Sequence, residues 1–230
     1  MQICGLQKVT LLDYPGKIAC TLFTHGCNFR CPFCHNPSLV VTQADTIIGE
    51  EALFSFLKQR VGILEGVVIS GGEPLLHAQL LPLLQKIKAL GYCVKLDTNG
   101  SQPQFLKELV QRRLVDRVAM DIKNAPEHYA QTVGVSPDMT AICESKEFLM
   151  TSGVEYEFRT TLVKGLHTQQ DILDTAKWIR GAKEYYLQQF RRQDKLIAGE
   201  GLSSFTVAEM QHFAGMIKEY VPAVQLRGTE

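Results

Sequence analysis

From residue 18 onward the chain repeats one pattern. A short apolar run with β propensity is followed by a knot of polar and turn-forming residues, then by a longer stretch with helical spacing of apolar side chains. The apolar runs fall at 18–23, 66–70, 94–97, 117–121, 156–163 and 184–190. Helical spacing covers 50–59, 77–90, 103–112, 141–151, 169–180 and 207–220, with a short Pro126-initiated helix after the fourth run. Strands alternating with helices imply a parallel sheet wound by right-handed crossovers. Six units fall short of the eight in a closed (β/α)8 barrel of about 250 residues. The pattern alone leaves two α/β architectures open, an incomplete barrel and a doubly wound open sheet. Ahead of the first unit, residues 9–12 face 18–23 across Asp13-Tyr14-Pro15-Gly16-Lys17, which predicts an N-terminal β-hairpin. Residues 40–49 read as polar and irregular. With no repeat, low-complexity tract or linker, one domain over 1–230 is expected, its core at about 18–220.

The polar knots follow the strands directly: the cysteine loop, Gly71-Gly72-Glu73-Pro74, Thr98-Asn99-Gly100, Asp121-Ile122-Lys123 and Lys164-Gly165. In parallel α/β folds the carboxyl ends of the strands form the active face, so these knots should converge on one site. The first knot, in the loop 24–38, carries Cys27, Cys31 and Cys34 spaced C-x3-C-x2-C. Thiolates are soft ligands suited to zinc and iron–sulfur clusters. A structural zinc site closes with four ligands, and an ordinary [4Fe–4S] cluster takes four cysteines. Three thiolates on a cluster leave one iron open to another molecule.

The other four of the seven cysteines, Cys4, Cys20, Cys93 and Cys143, share no ligand spacing, and Cys20 and Cys93 sit in apolar runs as small hydrophobes. A disulfide framework is not indicated, and a reducing compartment fits. The N-terminus lacks a signal-peptide pattern and no apolar run is long enough to span a bilayer, so the expectation is cytoplasmic, without a membrane. Twenty-four basic against 24 acidic residues give no electrostatic case for nucleic acid.

The stretch Gly26-Cys27-Asn28-Phe29-Arg30-Cys31-Pro32-Phe33-Cys34-His35-Asn36-Pro37, with an aromatic before the third cysteine, resembles the cluster loop of the radical S-adenosylmethionine (SAM) enzymes. Together with residues 11–27 it resembles, more narrowly, the small activating enzymes of glycyl-radical enzymes, over about residues 5–191. The resemblance implies an incomplete, laterally open (β/α)6 barrel. It implies a [4Fe–4S] cluster on Cys27, Cys31 and Cys34, with SAM completing the open iron through its amino and carboxylate groups. It implies flavodoxin or ferredoxin as the electron donor, and a glycyl-radical enzyme as the partner. The match leans toward activators of anaerobic ribonucleoside-triphosphate reductases. Pyruvate formate-lyase activases and a small-molecule enzyme of the deazapurine-synthase kind are the alternatives. The cysteine-rich insert of some activases is absent, since no cysteine lies between Cys34 and Cys93.

The same resemblance assigns the remaining site residues. Gly71, Gly72 and Glu73 would bind the SAM amino group, although Gly-Gly-Glu-Pro also suits a plain strand-ending turn. Asp97, Thr98 and Asn99 of Asp97-Thr98-Asn99-Gly100 match a family motif and equally suit an Asn-Gly turn. Asp121 and Lys123 alternate onto one face, where they would hold SAM or form a strand-end ion pair. Asp97, Thr98 and Asp121 are also placed to hold a monovalent cation. Phe33 and His35 match positions near the adenine, and Arg159 a position facing SAM. His25, His77, His128, His167 and His212 show no spacing signal and are expected at the surface. Pyruvate formate-lyase activases have a histidine near the end of the sixth strand; here Phe190 stands at or near that place, and Gln188 is the substitute.

Overall fold

The computed structural model describes residues 1–41, 47–193 and 195–229, so half of the irregular stretch expected at 40–49, residues 42–46, lies outside the described residues. Among the described residues, eight strands form one sheet in chain order: β1 (Ile3–Thr10), β2 (Ala19–Thr24), β3 (Gly66–Gly71), β4 (Cys93–Thr98), β5 (Arg117–Asp121), β6 (Glu155–Leu162), β7 (Tyr185–Gln189) and β8 (Val224–Arg227). β1 runs antiparallel to β2, and every later pair is parallel. The helices are α1 (Ser38–Val41), α2 (Glu50–Gln59), α3 (Leu80–Ala89), α4 (Pro103–Gln111), α5 (Tyr129–Val133), α6 (Met139–Thr151), α7 (Gln169–Trp178) and α8 (Val207–Ile217). Strands β2 to β7 with their helices make the six expected units. Among the described residues no ladder joins β1 to β8, so the barrel stays open there.

One boundary and one additional strand differ from expectation. The hairpin strand begins at Ile3 rather than Val9, pairing Ile3 with Thr24 and Thr10 with Ala19, while Leu11 and Leu12 lie beyond it and are 69% and 84% exposed. A seventh parallel strand, β8, follows the last helix. Its Val-Gln-Leu-Arg is too short for a periodic signal, and it forms because β7 offers a free edge.

Alternation along the strands separates two environments. Outward residues such as Leu22, Ile69, Leu96, Met120, Phe158 and Leu187 bury against Leu53, Leu84, Leu109, Ile142 and Ile172 of the helices. Each such side chain contributes about 1.5–3 kcal/mol on burial. The helix ends are set locally: Gly91 takes φ 88° after α3, and capping boxes at Thr168–Asp171 and Thr206–Glu209 start α7 and α8. The inward face is polar. Thr21, Ser70, Lys95, Asp97, Arg117, Asp121, Glu157 and Arg159 point into the lumen, where closed barrels stack branched aliphatics. Buried Tyr14 from the hairpin turn, packed with Ala19, Val68 and Cys93, plugs the lumen at the amino ends of the strands.

Candidate active site

A cavity of about 420 Å³ opens at the carboxyl ends of the strands. Fourteen expected residues line it: Cys27, Cys31, Phe33, Cys34, His35, Gly71, Gly72, Asp97, Thr98, Asn99, Asp121, Lys123, Arg159 and Gln188. The one missing is Glu73. Ser70, Thr161 and Asp13 line the cavity without having been expected, Asp13 through the hairpin turn, where it accepts from Thr21 Oγ1 at 2.6 Å.

The cysteine loop is fixed by its backbone. Gly26 N–H donates to Leu39 at 2.7 Å, Arg30 N–H to Val133 at 2.8 Å and Cys34 N–H to Cys31 at 3.0 Å, while Pro32 accepts from Ala198 N–H at 3.0 Å. Phe29 and Phe33 anchor it in the core. Gly71 and Gly72 complete this clamp. Gly71 has φ 116°, and a Cβ there would lie 2.3 Å from Thr24 N; at Gly72 it would lie 2.0 Å from the Gly26 carbonyl oxygen. Only glycine lets the end of β3 meet the loop this closely.

Glu73 lies beneath the cavity wall, 1% exposed. Its Oε1 accepts from Leu75 N–H at 3.0 Å and Thr98 Oγ1 at 2.8 Å, and its Oε2 from Asn99 N–H at 2.6 Å. The carboxylate expected at the ligand instead ties the Gly-Gly turn to the Asp97–Gly100 segment. Burial pushes it up to about 7, against the pull of these three hydrogen bonds. Asn99 Nδ2 in turn donates to Asn28 Oδ1 at 2.9 Å, joining that segment to the cysteine loop.

The floor is an ionic ladder. Arg159 bridges two carboxylates, its Nε 2.9 Å from Asp121 Oδ1 and one terminal nitrogen 3.1 Å from Asp97 Oδ2. The second oxygens take Lys123 Nζ on Asp121 and Lys95 Nζ on Asp97, each at 2.8 Å. All four oxygens thus face a tethered cation. Burial alone would raise both aspartates; Arg159 first, with Lys123, holds Asp121 down at about 2, and Arg159 with Lys95 holds Asp97 below its usual range. The ladder continues inward from Lys95 to Glu157, 0% exposed, which Arg117 and Arg227 also approach at 2.9 and 3.0 Å.

Behind the cavity-lining His35 and Phe33, Phe190 is fully buried, its ring stacked on His35 at 5.5 Å and edge-on to Phe33 at 6.5 Å. His35 Nε2 lies 3.1 Å from the Arg191 carbonyl oxygen. Gln188, not Phe190, faces the cavity, accepting from Thr161 Oγ1 at 3.4 Å. His167 corrects another expectation: it is 5% exposed, and its Nε2 lies 2.8 Å from the Lys123 carbonyl oxygen, supporting the Asp121–Lys123 segment. His25 and His77 are half-buried together, His77 Nε2 lying 2.7 Å from the His25 carbonyl oxygen, whereas His128 and His212 are exposed as expected.

Among the described residues no three His, Cys, Asp or Glu side chains surround one point as ligands to a single ion. A zinc ion would need its thiolates about 2.3 Å away on one centre. A cluster spreads its thiolates over separate irons, so three cysteines around one cavity, spaced along a loop, fit it better. Burial pushes the Cys27 thiol up to about 11 and raises Cys31, so loading would displace protons.

A family model described as the radical SAM superfamily matches residues 21–179. The chain belongs to the radical SAM superfamily. A Methanocaldococcus jannaschii protein named as a glycyl-radical enzyme activating enzyme is 32% identical over 199 residues, covering 84% of this chain and 81% of that protein. The pyruvate formate-lyase-activating enzyme of Clostridium pasteurianum is 32% identical over 133 residues, covering 55% of this chain and 54% of that enzyme. Among solved structures, Streptococcus suis SuiB bound to S-adenosylmethionine superposes with a TM-score of 0.70 at 14% identity, covering 90% of this chain and 52% of that one. That likeness is one of fold. Among the described residues no helix is long and apolar enough to cross a membrane.

Proposed function

We propose that this radical SAM activase generates the glycyl radical of an anaerobic ribonucleoside-triphosphate reductase, with flavodoxin or ferredoxin as its electron donor. Membership of the glycyl-radical activating class rests on the relatives; the partner and donor are this reading's own. Cys27, Cys31 and Cys34 would hold a [4Fe–4S] cluster, which would supply the one-electron reduction for cleaving SAM and so for removing a hydrogen atom from the partner's glycine.

The observation that carries the reading is the cavity itself. Three thiols share it with a glycine-built strand edge and an ordered row of ions, while His35, the adjacent candidate for a fourth ligand, is held by Phe190 and Arg191. Cys27, Cys31 and Cys34 would hold the cluster. The Gly71–Gly72 backbone edge would accept from the SAM ammonium, and Lys123 and Arg159 would meet its carboxylate. Phe33 and His35 would flank the adenine, with Asp97, Thr98, Asn99, Asp121 and Gln188 ordering the remaining polar contacts. Glu73 would act through the two segments it joins. Gln188 in place of a sixth-strand histidine favours the reductase over the lyase as partner.

The test is anaerobic. The reconstituted chain should contain about four irons per molecule and release deoxyadenosine and methionine from SAM under a reductant. Mixed with an anaerobic ribonucleotide reductase it should raise a glycyl-radical resonance, and with a pyruvate formate-lyase it should not. Bound zinc, or SAM cleavage retained by Cys31→Ala, would refute the reading; a radical on the lyase alone would reassign the partner.

A further inference from the structure

Lys95 belongs to none of the motifs, yet it is 1% exposed and charged in the middle of a protein. A buried ammonium is costly unless well paired, and a branched aliphatic would fill this lumen position as it does in closed barrels. Its partners account for its presence. Nζ donates to Asp97 Oδ1 at 2.8 Å and lies 3.8 Å from Glu157 Oε1. Lys95 and Asp97 are two residues apart on β4, so the lysine stands one layer deeper on the same face. Ser70 Oγ and Arg159 hold Asp97 Oδ2, both at 3.1 Å. The plane of the carboxylate is therefore set from two sides, and its deep side is Lys95.

We infer that Lys95 is a positioning residue for SAM binding, acting through Asp97 to fix the carboxylate that the cavity presents. The inference rests on the proposed function for the identity of the ligand. Lys95 itself does not line the cavity, so it orders the ligand's partner without touching the ligand. It also joins two layers of charge: the cavity row of Asp97, Asp121, Arg159 and Lys123, and the deeper set of Glu157, Arg117 and Arg227. Asp97 keeps Arg159 and Glu157 keeps both arginines when Lys95 is removed, so neither carboxylate is stranded.

The experiment is a double-mutant cycle in the cluster-loaded enzyme, with SAM as the titrant and iron per chain and melting temperature as controls. Lys95→Met should weaken SAM binding about tenfold. It should raise KM for SAM while leaving kcat and iron content near wild type. Lys95→Met/Asp97→Asn should bind no worse than Asp97→Asn alone, because the lysine acts through that carboxylate. Should Lys95→Met not fold, Lys95→Gln, which keeps a donor to Asp97 but drops the charge, takes its place in the same cycle. Additive losses, a fall in kcat at unchanged KM, or wild-type affinity in the variant would overturn the inference. Failure of the wild-type chain to bind SAM would instead sink the proposed function.

Discussion

Gly72 stands so close to Gly26 that a methyl group on it would lie 2.0 Å from the Gly26 carbonyl oxygen, the same oxygen that accepts from Glu73 N–H at 2.8 Å. The contact joins the end of β3 to the loop that carries the three cysteines. Gly72→Ala must push that loop away, at a cost of about 1–3 kcal/mol for overpacking. Displacing catalytic ligands by an ångström costs about 100-fold in rate. We expect a folded variant with reduced iron loading and SAM cleavage lowered by that order, read by iron analysis and deoxyadenosine formation beside circular dichroism.

Glu73 is surrounded by donors alone: Leu75 N–H, Asn99 N–H and the Thr98 hydroxyl. Glu73→Gln sets an amide N–H against one of them, which should cost about 1–3 kcal/mol. The carboxyl lies at about 7 in the fold against 4.5 in the unfolded chain. Its contribution to stability is complete below pH 4.5 and is lost as the pH rises through 7. Urea unfolding between pH 4 and 8 should show this slope in the wild type and its loss in the variant; parallel curves would contradict the assignment.

Asp121 behaves oppositely. Arg159 and Lys123 overcome its burial and hold it at about 2, below the ordinary 3.8. Its contribution, on the order of 2 kcal/mol, is present above pH 3.8 and lost as the pH falls through 2. Asp121→Asn should flatten that acid limb in denaturant titrations and weaken SAM binding.

Phe190 should matter through packing. Phe190→Ala removes the ring beneath His35 and Phe33 and should cost about 3–5 kcal/mol. Phe190→Leu should keep most of the stability but loosen His35, so that melting temperature recovers while SAM affinity does not. Equal recovery of both would show that the ring has no bearing on the site.

The sequence disclosed the six β/α units and the convergence of their polar ends, because short β-prone apolar runs and helically spaced leucines are strong local signals. The resemblance of its motifs named fourteen residues that line the cavity, most of them at or just beyond the carboxyl ends of strands. What it missed is non-local. Lys95 and Glu157 read as ordinary strand charges until β4 and β6 are placed two strands apart around one lumen. Asp13 reaches the cavity only because a hairpin turn folds beneath it, and His167 is buried by a loop rather than by spacing. Glu73 sits in a legible motif, yet its side chain is turned away by three donors from two segments. β8 exists because a neighbouring edge needed a partner, which four residues cannot announce.

The charged lining of the lumen gives this barrel a character that aliphatic layers could not. A cylinder filled with branched side chains is solid, and anything entering must first open a hole. Here the tenants are ions already matched in pairs, so an incoming zwitterion meets complementary charge at the threshold and trades one counter-ion for another. The interior is a socket with its contacts in place, and the gap left between β1 and β8 among the described residues keeps its side unsealed.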